Sequence, residues 1–299
     1  MKKTVLISGS NGEVARQLTL LLKDTCSLRY LTRKKNRENE FEWNIETQTI
    51  EDGALEGVDS IIHLAGAGIA DERWTDERKK VILSSRIDSA RLLLNTLTEK
   101  KYTIDSFISA SAIGFYGSVT SEKIYTEEDK KGEGFLSDVC SRWEKAADDF
   151  SQVASRIVKI RIGVVLSRSK NGALEKIKKP ITYYAGAYLG SGKQYMPWVH
   201  IEDLCEIFKY SMENGNIRGV YNAVAPQVTT NKELTQVLAQ SLNKPILLPF
   251  VPSFLIRLLF GEAAEMLLNG SRVSSQKLTD SGFIFKYPEL KLAIQNLVK

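Results

Sequence analysis

The chain has 299 residues, 43% hydrophobic and 26% charged, a composition that supports a large buried core and excludes a disordered or low-complexity polypeptide. Its net charge of +5 is spread over lysine pairs such as Lys34-Lys35, Lys79-Lys80, Lys130-Lys131 and Lys178-Lys179, which argues for a solvated surface and against a nucleic-acid patch. Cys26, Cys140 and Cys205 are odd in number and far apart, and with two histidines they form no ligand cluster, so reduced thiols in a cytoplasmic setting and no metal site are expected.

The opening Met1-Lys2-Lys3 is followed by only Val5-Leu6-Ile7 before Ser8 and Gly9, too short an apolar run for a signal peptide. Thr4 to Ser8 predicts a strand, Gly12 to Lys23 a helix and Ser27 to Thr32 a second strand. Further strands are expected at 60–64, 106–110 and 157–162, each apolar enough to be buried on both faces. Between them, Asp76 to Lys100 carries Val81, Leu83, Ile87, Ala90, Leu94 and Leu97 at helical spacing, and Asp138 to Val153 predicts another long helix. That alternation defines the fold class as α/β, a Rossmann doubly wound parallel sheet.

From about Asn171 the texture changes. Residues 183–194 combine glycines with Tyr183, Tyr184, Tyr188 and Lys193, which predicts a mobile lid over a substrate cleft. Helices follow, then a stretch punctuated by Pro245, Pro249 and Pro252, and an apolar stripe from Phe254 to Leu268 that reads as lobe core in preference to a lipid site. Its longest run, Phe254 to Phe260, contains Arg257 and falls well short of the roughly 20 residues a membrane span needs. The expected organisation is a Rossmann domain over 1–170, with strands returning from the second half, and a smaller, mostly helical substrate lobe over 171–299.

The segment Gly9-Ser10-Asn11-Gly12-Glu13-Val14-Ala15 sits between a strand and a helix as Gly-x-x-Gly-x-x-Ala. Gly9 permits a tight turn, Gly12 lets the backbone approach a pyrophosphate, and Ala15 lets helix and strand pack closely. The second strand ends Leu31-Thr32-Arg33-Lys34, with no acid to take a ribose 2′-hydroxyl. An arginine there complements a 2′-phosphate, so NADP(H) is the expected cofactor; the alternative is that Arg33 is a plain surface charge.

Three further segments carry a family resemblance: Val58-Asp59-Ser60-Ile61-Ile62-His63-Leu64-Ala65-Gly66, Ser109-Ala110-Ser111 through Tyr116-Gly117, and Val199-His200-Ile201-Glu202-Asp203-Leu204. Together they resemble the extended short-chain dehydrogenase/reductases. Arg73-Trp74, Ser85-Arg86, Trp143-Glu144 and the tail, which includes Leu267-Leu268-Asn269-Gly270, resemble an atypical nucleoside-diphosphate-sugar epimerase-like branch with its own carboxy-terminal region from about residue 245. The resemblance implies 2′-phosphate contacts at Thr32 and Arg33, backbone contacts at Leu64, Ala65 and Gly66, a cofactor contact at Arg86, and Gly163 beside the nicotinamide. His63 stands where that branch usually has asparagine. Asn44 stands where an aspartate commonly holds the adenine amino group, and is expected to do so more weakly.

Ser111, with Ser109 as the register alternative, occupies the family's catalytic-serine position; it either faces substrate or caps a turn. Tyr116 either faces the same cleft or belongs to the core, and His200 reads more as a helix anchor than as a titrating group. The family's tyrosine and lysine, four residues apart on one helix face, are replaced by Cys140 and Glu144, and Lys145 is rotated about 100° off that face. A thiol beside a carboxylate has a raised pKa and makes a poor proton relay, whereas Glu144 is expected to accept hydrogen bonds from the ribose.

The functional expectation is an NADP(H)-binding oxidoreductase or epimerase-like protein acting on a small polar molecule, a nucleotide sugar among the candidates. The rival is a non-catalytic NADPH-binding sensor or interaction protein. A second copy of the chain is a candidate partner; nucleic acid and membrane are not.

Overall fold

The apolar runs of the first half pair edge to edge, and helices cover both faces of the sheet they make. The computed structural model describes residues 2–298, so Met1 lies outside the described residues. In chain order the elements are β1 (Thr4–Ser8), α1 (Glu13–Leu22), β2 (Ser27–Thr32), β3 (Glu40–Asn44), β4 (Thr49–Ile50), β5 (Ser60–His63), α2 (Asp76–Glu99), β6 (Ser106–Ala112), β7 (Ile124–Tyr125), α3 (Phe135–Asp148), β8 (Ile157–Ile162) and β9 (Val164–Leu166). The second half adds α4 (Ala173–Thr182), β10 (Tyr188–Leu189), β11 (Trp198–His200), α5 (Ile201–Glu213), β12 (Gly219–Ala223), α6 (Asn231–Ser241), β13 (Phe250–Val251), α7 (Ser253–Phe260), α8 (Glu265–Leu268), β14 (Arg272–Val273), α9 (Gln276–Asp280) and α10 (Leu290–Val298).

The main sheet runs β12-β8-β6-β5-β1-β2-β3-β4, parallel throughout except where β4 turns back on β3. Strand order reverses at β1, which lies between β2 and β5, and the carboxy-terminal ends of strands at such a switch point form the ligand crevice of this architecture. On one face Val5, Ile7 and Leu18 pack with Leu204 and Phe208, so α1 and α5 share a layer. On the other, Leu6, Ile61 and Phe107 pack with Leu93, Ala147 and Phe150 beneath α2 and α3. α2 starts sharply because Thr75 accepts a hydrogen bond from the Arg78 amide at 3.1 Å and Asp76 and Glu77 occupy its positive first turn.

Past residue 170 the chain serves both layers. β12 and α5 return to the Rossmann sheet, while Leu174, Ile181, Leu234, Leu238, Ile294 and Leu297 build a separate core from α4, α6 and α10. α6 carries a complete capping box between Thr230 and Glu233.

Two expectations fail in this half. The 183–194 segment is not a free lid, because its second part is tied to distant residues: Leu189 N donates to Asn231 Oδ1 at 2.8 Å, and the buried Gln194 donates to the carbonyls of Leu189 and Leu267. The tail stripe is not lobe core either. Along α7 only Ile256 is buried, and the other large side chains face outward.

Candidate active site and cofactor cleft

The glycine loop is shaped by contact with the neighbouring strand end. Gly9 has φ +71°, and a Cβ there would lie 2.8 Å from the Leu64 carbonyl oxygen, so both the turn and the packing demand glycine. Ser10 Oγ donates to the Leu31 carbonyl at 3.3 Å and ties the loop to β2. Gly12 precedes α1 as its N-cap and offers no side-chain cap, and no protein acceptor among the described residues takes the amides of Glu13, Val14 or Ala15. Uncapped amides at an amino-terminal helix end, beside an exposed Gly12, fit a pyrophosphate. Asn11 is exposed at the same loop.

Beneath this loop lies a buried chain of hydrogen bonds. Ser8 Oγ accepts from the amides of Leu64 (3.1 Å) and Ala65 (3.3 Å) and donates to His63 Nδ1 at 2.8 Å. That makes His63 the Nε2–H tautomer, donating to Ser89 Oγ at 3.2 Å, while Ser89 donates to the Ser85 carbonyl at 2.7 Å. The Leu64 and Ala65 amides are therefore consumed by Ser8, and any cofactor contact there falls to their other atoms. Burial holds the His63 pKa down at about 4.

Arg33 is exposed at the end of β2 and has no carboxylate partner among the described residues. Thr32 Oγ1 is already committed to the Lys34 carbonyl at 3.1 Å. Asn44 departs from its expected role: its Oδ1 accepts from the amides of Glu46 and Thr47, closing the β3–β4 turn, so the acceptor an adenine amino group needs is occupied. Gly163 is required by protein packing, since a Cβ there would meet the Pro197 carbonyl at 2.6 Å and Val224 at 2.8 Å.

Arg86 is buried under Gly66, donates to the carbonyls of Ile82 and Ala67, and stacks over Trp143 at 4.9 Å. Its Nε has no partner, and burial lowers its pKa because no carboxylate offsets the desolvation. An unpaired buried cation at this point fits an anionic cofactor.

The positions expected to be catalytic hold an ion-paired network. Ser111, Arg161 and Asn222 are register partners across β6, β8 and β12, so their side chains share a face. Glu144 of α3 comes down onto that face. Its Oε1 accepts from Ser111 Oγ at 2.7 Å and Arg161 Nε at 2.7 Å, and its Oε2 accepts from Arg161 Nη2 at 2.9 Å. Arg161 Nη1 donates to the Tyr116 hydroxyl at 2.9 Å, which donates to Asn222 Oδ1 at 2.7 Å. Phe115 lies 3.5 Å from the same guanidinium.

This arrangement corrects two expected roles. Glu144 is a bidentate partner of Arg161 with its oxygens engaged inside the protein, not a ribose acceptor. Tyr116 has no exposed surface, spends its hydroxyl on Arg161 and Asn222, and is pushed up to about 12 by burial, so it is core and not a proton donor at neutral pH. Cys140 is buried, and burial followed by the Glu144 charge raises its pKa to about 12, as a thiol beside a carboxylate should behave. Ser109 turns back to the Ala110 carbonyl. His200 anchors α5 by accepting from the Glu202 amide, the role expected of it.

Arg161 and Asn222 were absent from the sequence reading. The available signal was Lys159 and Arg161, two cations alternating within an otherwise apolar strand.

An open parallel sheet, a strand–glycine loop–helix unit at its switch point and a polar cluster on the neighbouring strand ends define a Rossmann dinucleotide-dependent enzyme of the extended short-chain type. Residues 5–138 match the model of the NAD dependent epimerase/dehydratase family, and residues 251–297 match a domain of unknown function (DUF1731). The chain is 35% identical over 286 residues to the Epimerase family protein Mb2239 of Mycobacterium bovis, covering 95% of this chain and 93% of that one. It is 33% identical over 299 residues to the mouse Epimerase family protein SDR39U1, covering 98% and 99%. The crystal structure of human epimerase family protein SDR39U1 (isoform 2) with NADPH superposes with a TM-score of 0.89 at 29% identity, over 98% of both chains. The chain belongs to the NAD dependent epimerase/dehydratase family.

Two predictions follow from this geometry. Arg161→Met leaves Glu144 buried beside a single hydroxyl, so urea unfolding should show a loss of about 3–5 kcal/mol; a loss under about 1 kcal/mol would mean the pair is hydrated. His63 and His200 are both held down to about 4 by burial, while in the unfolded chain both titrate near 6.5. The unfolded state therefore binds more protons between those values, and stability falls as pH drops from about 6.5 to about 4. His63→Asn should flatten roughly half of that slope in denaturation midpoints; an unchanged slope would show that the carboxylates set it.

Proposed function

We propose that the chain is an NADP(H)-dependent oxidoreductase or epimerase-like enzyme for a small polar substrate, with nucleotide sugars the class to test first, and that it works without a tyrosine–lysine relay. The observation that carries the cofactor choice is Arg33, exposed at the end of β2, free of carboxylate partners among the described residues, on a strand end that bears no acid. The NADPH in the human relative's structure supports the same choice.

When bound, the cofactor accepts or supplies a hydride. The uncapped amides of Glu13, Val14 and Ala15 hold the pyrophosphate, Arg33 pairs with the 2′-phosphate, and Arg86 adds positive charge beneath Gly66. Ser111 is the substrate-positioning group. Because the Ser111 hydroxyl donates its hydrogen bond to Glu144, the Oγ lone pairs remain to accept one from a substrate hydroxyl. Cys140, protonated at neutral pH, takes no part as nucleophile or base.

Calorimetry should show NADPH binding more tightly than NADH. Arg33→Ala should weaken NADPH alone by about 10- to 150-fold, the ~1.5–3 kcal/mol of a charge-assisted hydrogen bond; equal affinities for the two cofactors would refute the assignment. With a substrate identified by native mass spectrometry of the NADP-loaded protein against a metabolite extract, Cys140→Ala should keep most of the activity. Ser111→Ala should lower kcat/KM at least about tenfold, or ~1.4 kcal/mol of barrier, and the opposite pattern would assign the proton transfer to the thiol.

A further inference from the structure

The apolar residues of α7 stand in water. Phe254, Leu258 and Leu259 are 67%, 69% and 65% exposed, and Leu247, Leu248 and Phe250 just before the helix are exposed as well. Tyr183 and Tyr184, at the end of α4, belong to the same surface. β10 pairs with β13, and Lys244 Nζ donates to the Tyr184 hydroxyl at 2.8 Å, joining the two segments. Single exposed leucines are ordinary on a soluble protein, but a contiguous run of this size marks an interaction surface.

This surface is net basic. Residues 173–194 and 243–265 hold Lys176, Lys178, Lys179, Lys193, Lys244 and Arg257 against Glu175, Glu262 and Glu265. Lys178 meets Glu175 and Arg257 meets Glu265, whereas Lys176, Lys179, Lys193 and Lys244 meet no carboxylate among the described residues. A two-fold contact with a second copy would set this net positive patch against itself and leave its excess charge uncompensated. A surface that is apolar within and anionic at its boundary accommodates both the leucines and the lysines.

We propose that this face docks on lipid bilayers carrying anionic headgroups. Phe254, Leu258 and Leu259 enter the boundary between headgroups and acyl chains, and the lysines sit at headgroup level. α7 and the turn after it also touch the segment after β5 and the start of α2: Arg73 Nη2 donates to the Leu258 carbonyl at 3.3 Å, and Lys79 pairs with Glu262.

The test is co-sedimentation of the full chain with phosphatidylcholine vesicles, with and without phosphatidylglycerol. Binding to the mixed vesicles should be at least about tenfold tighter and should weaken as salt rises. The triple variant Phe254→Ser, Leu258→Ser, Leu259→Ser should lose about tenfold or more of that binding. Its circular dichroism and NADPH affinity should be unchanged, because the three side chains are exposed and outside the cofactor site. Lys179→Gln with Lys193→Gln should reduce the preference for phosphatidylglycerol. Absence of that preference in the wild type, or wild-type binding by the triple variant, overturns the proposal. A wild-type dimer in light scattering that the triple variant turns into a monomer also overturns it, assigning the face to a second copy.

Discussion

The buried pair between Glu144 and Arg161 is the constraint on which the catalytic end of the sheet depends. A guanidinium inside a protein is tolerated only when its donors are met, and here two meet Glu144 and a third meets Tyr116, while its face lies against Phe115. Those contacts join α3, β8 and the turn after β6, and Asn222 extends them to β12. The position of Ser111 is a consequence, since its hydroxyl is held by the same carboxylate. A tyrosine–lysine pair would need the volume and the open face that this network fills.

Much of the fold was legible because parallel strands buried on both faces leave continuous apolar runs, and Thr4–Ser8, Ser60–His63 and Ser106–Ala112 are such runs. The glycine loop was legible for a local reason: Gly9 answers to its own φ and to the adjacent strand end. Arg161 was legible in principle. Glu144 and Asp148 lie four apart on α3, a rise of about 6 Å, and Arg161 and Lys159 lie two apart on β8, a rise of about 6.6 Å. The pairs match, antiparallel, with Lys159 Nζ to Asp148 Oδ1 at 2.5 Å.

What stayed hidden depended on distant partners. Tyr116 meets Asn222, more than a hundred residues later, and nothing near Tyr116 shows that its hydroxyl is already taken. Gln194 and Asn231 pin the segment that reads as a loop. Asn44 is the opposite case: its turn is local, but an asparagine two residues before a free amide has two uses, and the sequence does not rank them. α7 misled because a helix apolar on all sides normally signals burial, and no second layer among the described residues covers this one.

The glycine loop and the Glu144–Arg161 network occupy separable parts of this molecule. The glycine loop whose free amides fit a pyrophosphate lies at the ends of β1 and β5, supported from beneath by Ser8, His63 and Ser89, which make no hydrogen bond to the Glu144–Arg161 network among the described residues. Backbone amides at a helix end recognise a pyrophosphate whatever side chains stand on β6 and α3. The side chains at Cys140 and Glu144 can therefore differ without disturbing the loop, and Glu144 is stabilised by an arginine that arrives from β8. Arg86 faces both regions: it lies under Gly66 on the loop side and against Trp143, next in sequence to Glu144, on the other. Its Nε has no hydrogen-bond partner and no carboxylate pairs with it among the described residues, so this buried cation is held by the Ile82 and Ala67 carbonyls and the Trp143 face alone.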